Sequence, residues 1–160
     1  MIVAVISDSH DNLRKVEELL NFLHKNPVDL VIHCGDIVSP FTLKLLLEGL
    51  NSDFFGVFGN NDGEVAGLLK VSGGLMEKPP LLKEIGGLKF AVMHEPLFVD
   101  SLASSGDFDF ILYGHTHQAE SYSVGNTKVV NPGELCGYLT GKSSFAILNT
   151  TQKEVEIVKL

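Results

Sequence analysis

Between Ile2 and Val57 the chain alternates short β-prone runs with stretches whose apolar residues recur every three or four positions. Ile2–Ile6, Val28–Ile32 and Asp53–Val57 read as strands, and the first two lack polar alternation, as strands buried on both faces do. Leu13, Val16, Leu19, Leu20 and Leu23 share one helical face, with Asp11 or Asn12 as the cap and Pro27 as the stop. Ser39-Pro40 opens a second helix with proline in its first turn, and Leu43, Leu46, Leu47 and Leu50 form its apolar face. Strand, helix, strand, helix, strand predicts parallel pairing through right-handed crossovers.

The second half changes character. Ser72-Gly73-Gly74 and Pro79-Pro80 break regular structure. Leu81–Ile85 and Leu88–Met93 flank Gly86-Gly87, and Ser121–Val124 and Thr127–Val130 flank Gly125-Asn126; both are hairpin signals. Pro96–Ser104 reads as a short helix and Asp109–Tyr113 as another buried strand. Ser144–Leu148 and Glu154–Val158 make a last strand pair. The expectation is an α/β protein with parallel strands early and antiparallel strands late, in two packed sheets with helices outside.

The 160 residues suit one domain, since domains cluster near about 100–150 residues. We therefore expect a single domain over residues 1–160. With 44% hydrophobic and 20% charged residues, disorder is excluded. A formal net charge of -8 argues against a surface built for extended nucleic acid or anionic membrane, though not against a small phosphate ester in a local pocket. Cys34 and Cys136 are too few for a disulfide framework. No segment approaches the roughly 18 apolar residues of a membrane span, and the start lacks the features of a signal peptide. A soluble, cytoplasmic protein is expected. A homo-oligomer is compatible with the sequence.

Polar residues able to bind metal follow the apolar strands one after another: Ser7-Asp8-Ser9-His10, His33-Cys34-Gly35-Asp36, Gly59-Asn60-Asn61-Asp62, His94, and Gly114-His115-Thr116-His117. In open α/β sheets ligands bind beyond the carboxyl ends of strands, so these groups should converge at one rim. In extended chain, residues two apart point the same way, making Asp8 with His10 one two-pronged arm and His115 with His117 another. Asp8, His10, Asp36, Asn60, His94, His115 and His117 are too many for one tetrahedral zinc. They suit two divalent ions with mixed nitrogen and oxygen ligands, such as manganese, iron or zinc. Such ions sit about 3.5–4 Å apart and need a bridging group, for which a carboxylate is apt. Two carboxylates against two divalent ions leave the rim positive and suited to a phosphoryl group.

These five blocks, in this order, each after a strand, resemble the small calcineurin-like metallophosphoesterases in their compact bacterial and archaeal phosphodiesterase form. The resemblance covers essentially the whole chain. It implies a four-layer α/β/β/α sandwich of two mixed sheets, with little room for a capping domain. It implies one metal on Asp8, His10, Asp36 and His117 and a second on Asp36, Asn60, His94 and His115, Asp36 bridging. Manganese is the metal to expect, with iron, nickel or zinc as the others. The implied reaction is hydrolysis of small phosphate esters, diesters foremost, by a hydroxide held between the two ions. Asp36, Asn60, Asn61 and Asp62 are the expected catalytic set, Asp62 orienting a ligand from behind or capping a helix. The alternative on the same fold is a non-catalytic protein-interaction scaffold, as in a retromer subunit.

Three departures bear on the transfer. Many relatives carry histidine at the position of Asn61, where it assists the leaving group; Asn61 cannot protonate anything but can hydrogen-bond a phosphate oxygen. Glu95-Pro96 follows His94 where glycine is expected. Glu134 follows Asn131-Pro132-Gly133 where the family turn continues with serine. Glu95 and Glu134 read as solvated rim charges, His24 as a surface residue, His33 as a packed or hydrogen-bonded histidine and Cys34 as a small hydrophobe.

Overall fold

The structure, a computed structural model, describes residues 1–160. Strand β1 (Ile2–Ile6) is followed by helix α1 (Leu13–Lys25), β2 (Leu30–His33), α2 (Pro40–Gly49) and β3 (Asp53–Val57). Helix α3 (Val65–Ser72) then leads to the short β4 (Met76–Glu77). After β5 (Leu81–Ile85) and β6 (Leu88–Val92) come α4 (Val99–Ser105), β7 (Phe110–Leu112), β8 (Glu120–Val124), β9 (Thr127–Asn131), β10 (Ser144–Asn149) and β11 (Glu154–Lys159). One sheet has the order β11-β10-β1-β2-β3-β4 and the other β5-β6-β7-β9-β8.

Side-chain alternation sorts the core into three seams. Ala4 and Ile6 of β1 face α1 and α2, meeting Val16, Leu19, Leu43 and Leu46. Val3 and Val5 face the other sheet, packing with Phe90, Val92, Phe110 and Leu112. On that sheet's far side, Ala91, Ile111 and Val129 lie under Val99 and Ala103 of α4. Helix, sheet, sheet, helix is therefore the layering, and both sheets are mixed.

The two sets of parallel strands set up the functional rim. Strands β1, β2 and β3 run parallel, as expected from the alternation. The second half differs from expectation, because β7 is parallel to both β6 and β9 rather than part of an antiparallel run. Helix α4 supplies the crossover that makes the β6–β7 pair parallel. Helix α1 is capped by Asn12, whose side chain accepts from the Lys15 amide at 3.3 Å, and its buried stripe is Val16, Leu19, Leu20 and Leu23, with Leu13 at its open end.

Helix α3 and β4 carried no clear signal. The helix has no side-chain cap and buries only Leu68 and Ser72, so no apolar stripe marks it; its stop at Gly73, φ 62°, coincides with the expected breaker. No helix is long and apolar enough to cross a membrane.

Candidate metal centre

The loops leaving β1 and β2 are stitched by main-chain hydrogen bonds: Asp8 N–H donates to the Gly35 carbonyl at 3.0 Å and His10 N–H to the Asp36 carbonyl at 3.1 Å. Leu135 and Cys136 amides close the other side, on the Ser7 and Asp8 carbonyls at 2.9 and 3.0 Å. Here the backbone is not extended. Asp8, His10, Asp36, His115 and His117 all have positive φ, at 52°, 39°, 62°, 66° and 59°. That region is sparsely populated for non-glycine residues and recurs at functional sites. Asp8 and His10 still meet in one group, but the expected His115–His117 arm is corrected: His117 stacks on His10, ring centroids 5.3 Å apart, whereas His115 meets His94 edge-on at 5.1 Å.

The sequence-selected side chains form two touching groups. In the first, Asp8 Oδ1 lies 3.3 Å from His117 Nε2 and 3.6 Å from His10 Nε2. In the second, Asn60 Oδ1 lies 2.9 Å from both His94 Nε2 and His115 Nδ1. Asp36 joins them, its Oδ2 being 3.5 Å from His10 Nε2 and 3.4 Å from His94 Nε2. Asn61 donates to this same carboxylate from its backbone N at 2.8 Å and its Nδ2 at 2.7 Å. Asp62 faces backbone, accepting from Asp36 N at 3.1 Å, Gly59 N at 2.7 Å and Val38 N at 2.7 Å. Val38 is a β-branched residue at φ 85°, so this carboxylate holds a turn that would otherwise relax.

The donor set fits cations. Asp8 and Asp36 are 0% and 1% exposed, and their ionic contacts are to histidines, with no lysine or arginine among them. Asp8 Oδ1 and His10 Nε2 are buried with no hydrogen-bond partner. Burying carboxylates with no cation beside them costs several kcal/mol, a cost a bound cation would offset. The neighbouring Asp8 carboxylate raises the pKa of His10; burial lowers that of His94, and Asp36 more than offsets this. Protons and metal would thus compete for the same nitrogens.

Each of two ring histidines is held from behind. His94 Nδ1 donates to the Cys34 carbonyl at 2.9 Å, turning Nε2 toward Asn60 and Asp36. His117 Nδ1 donates to Glu134 Oε2 at 2.7 Å, turning Nε2 toward Asp8. Such partners fix the tautomer and raise ligand basicity. Glu134 corrects the sequence expectation: it is 0% exposed rather than a solvated rim charge. Burial raises its pKa, but donors from His117, Thr140 and Leu139 outweigh that and hold it at about 2. Asn131 has a bracing role that the sequence does not assign: its Nδ2 donates to the Gly114 carbonyl at 3.1 Å and Thr116 Oγ1 at 2.9 Å, holding the histidine loop. The Asn131-Pro132-Gly133 turn was the only sequence signal for either residue.

His117, Glu134 and Cys136 also cluster closely enough to chelate. Burial pushes the Cys136 thiol up to about 12, and it donates to Glu134, so it is no ready thiolate ligand. His33 is fully buried, 3.1 Å from Ser9 Oγ, and burial lowers it to about 3; it is a packed neutral histidine. Glu95 and His24 are exposed, and Cys34 packs between the sheets.

A family model described as a calcineurin-like phosphoesterase superfamily domain matches residues 1–153. The chain is 36% identical to "Phosphodiesterase MJ0936" of Methanocaldococcus jannaschii, over 100% of this chain and 99% of that protein. The solved structure of an archaeal phosphodiesterase superposes with a TM-score of 0.92 at 36% identity, covering 100% of each chain. A Vps29 variant from Entamoeba histolytica shares the fold, with a TM-score of 0.73 at 21% identity over 100% of this chain and 99% of that one.

Proposed function

The chain belongs to the calcineurin-like phosphoesterase superfamily and is a phosphoric ester hydrolase, and we propose that it cleaves small phosphodiesters at two divalent ions gripped by the convergent side chains. Asp8, His10, Asp36 and His117 would hold one ion; Asp36, Asn60, His94 and His115 would hold the other. Residues 1–160 act as one domain. The observation that carries this reading is the place of Asp36, with one carboxylate oxygen 3.5 Å from His10 and 3.4 Å from His94. The complete set of four histidines favours catalysis over a scaffold role. Among divalent metals, manganese suits the mixed nitrogen and oxygen donors, with iron, nickel and zinc as competitors.

When bound, such ions neutralise phosphoryl charge and bring a water into the pKa range where hydroxide is available near neutral pH. The protein's own groups do the rest. Asp62 fixes the backbone at Asp36, Val38 and Gly59, and through it the shared carboxylate. Glu134 and the Cys34 carbonyl hold Nδ1 protons on His117 and His94 and keep their Nε2 atoms aimed inward. Asn61 Nδ2 is an uncharged donor beside Asp36, suited to a non-bridging phosphoryl oxygen. Hydrolysis forms one P–O bond to the water-derived oxygen and breaks the ester P–O bond, and the alcohol takes its proton from solvent. Because Asn61 has no acidic proton to give, esters with stable leaving alkoxides or phenoxides are preferred.

The test combines elemental analysis with hydrolysis of bis-p-nitrophenyl phosphate after chelation and addition of Mn²⁺. Activity should vanish on chelation and return with metal, and Asp36→Asn should lose most activity and bound metal. Full activity of that variant after chelation would overturn the reading.

A further inference from the structure

Against the His94–Asn60 end of the centre lies a cleft of about 340 Å³. His94 and Asn60 belong to both, so a group attached to phosphorus at the centre reaches it directly. Its walls come from four separate segments: Phe58 after β3, Pro79 and Pro80 ahead of β5, Met93 after β6, and Leu97 and Phe98 ahead of α4. Phe58 and Met93 are anchored in the core at 8% and 2% exposure. Leu97 and Phe98, by contrast, stand 69% and 54% exposed beside a polar reaction centre. Glu95 is the one charged side chain lining the cleft apart from His94, it is exposed, and it has no ion-pair partner.

We propose that this cleft is the subsite for the ester substituent, and that it takes a flat, uncharged ring, aryl or heteroaromatic, carried on the phosphoryl group. The proposal rests on the phosphodiesterase reading, which places the phosphoryl group at His94 and Asn60. An organic substituent must leave phosphorus in some direction, and here that direction has apolar walls. Aromatic side chains in the lining, Phe58 and Phe98, suit offset or edge-on packing of another ring. Rigid proline rings in the same lining favour a planar occupant over a branched one. The Glu95 carboxylate repels an anionic substituent, so a second phosphate or a carboxylate in this position is disfavoured.

The experiment is calorimetric titration of the metal-loaded protein with phenyl phosphate and with methyl phosphate, which share a headgroup and differ in the ring. Phenyl phosphate should bind about tenfold more tightly, the discrimination an apolar pocket commonly gives. Leu97→Ser with Phe98→Ser should bring the two within twofold by weakening phenyl phosphate alone; both side chains are exposed, and Leu97→Ser by itself leaves the start of α4 intact and should remove part of the preference. A 4-carboxyphenyl phosphate should bind more weakly than phenyl phosphate, and Glu95→Gln should recover the difference. Equal affinities in the unaltered protein, or a preference that survives both variants, would overturn the proposal with hydrolysis intact. Absence of hydrolysis with every metal overturns the phosphoesterase reading instead, and the ring preference is then still read from the same titrations.

Discussion

Donors from His117 Nδ1, Cys136 Sγ, the Leu139 and Thr140 amides and Thr140 Oγ1 converge on the Glu134 carboxylate. One residue thus ties the loop after β9 to a histidine of the centre. Glu134→Gln keeps the volume but loses the charge, and its amide can no longer accept from all of these donors. We expect metal affinity to fall about ten- to a hundredfold, measured by competition with a chromophoric chelator alongside the melting temperature. An unchanged affinity would mean that His117 is held without it. Asn61 carries a second expectation. Asn61→His should speed cleavage of esters with poor leaving groups and barely change p-nitrophenyl esters, flattening the dependence of rate on leaving-group pKa. No gain with metal content intact would dismiss the idea. Asp8, His10, Asp36, Asn60, His94, His115 and His117 were legible because each follows an apolar run. Glu134 was not, since its partners come from separate loops and only the fold brings them together.

Just past the end of β3 the backbone approaches the centre closely. A Cβ at Gly59 would collide with the Asp36 carboxylate and sit 2.5 Å from its backbone nitrogen. Gly59→Ala should therefore cost about 1–3 kcal/mol through overpacking, a melting shift of roughly 2–12 °C, with a loss of bound metal. Gly63→Ala, four residues on, meets nothing within 4 Å and serves as the control, with an expected change within about 0.5 kcal/mol. If both variants bind metal alike, the close approach at Gly59 has no bearing on the centre. Strands β1 and β3 and the β5–β6 hairpin were readable from unbroken apolar runs and Gly86-Gly87. The parallel placement of β7 was not, because the pairing partner of a buried strand is chosen by tertiary packing.

For the molecule as a whole, acid sensitivity above the carboxylate range should be traceable to one buried ring. His33 is held at about 3 by burial, against an ordinary value of 6.5. Between those values the unfolded chain binds a proton that the folded one refuses, so stability is lost as pH falls from about 6.5 toward about 3. His10 and His94 are shifted upward and work in the opposite sense, adding stability at low pH that fades as pH rises through their folded values. Comparison with His33→Gln isolates the first effect. The urea midpoint of the metal-free wild type should drop more steeply than the variant's between pH 6.5 and 4. Parallel curves would remove His33 from the account.

The donors of the centre have unequal origins: Asp8, His10, Asp36 and Asn60 leave the strands of one sheet, while His94, His115 and His117 leave those of the other. Cations seated among them would rivet two leaves that otherwise meet mainly across an oily seam that includes Val3, Val5, Phe90 and Phe110. The grip that recognises a phosphate would then also be the clasp that keeps the leaves from sliding, making cohesion of the whole protein answer to the metal supply around it.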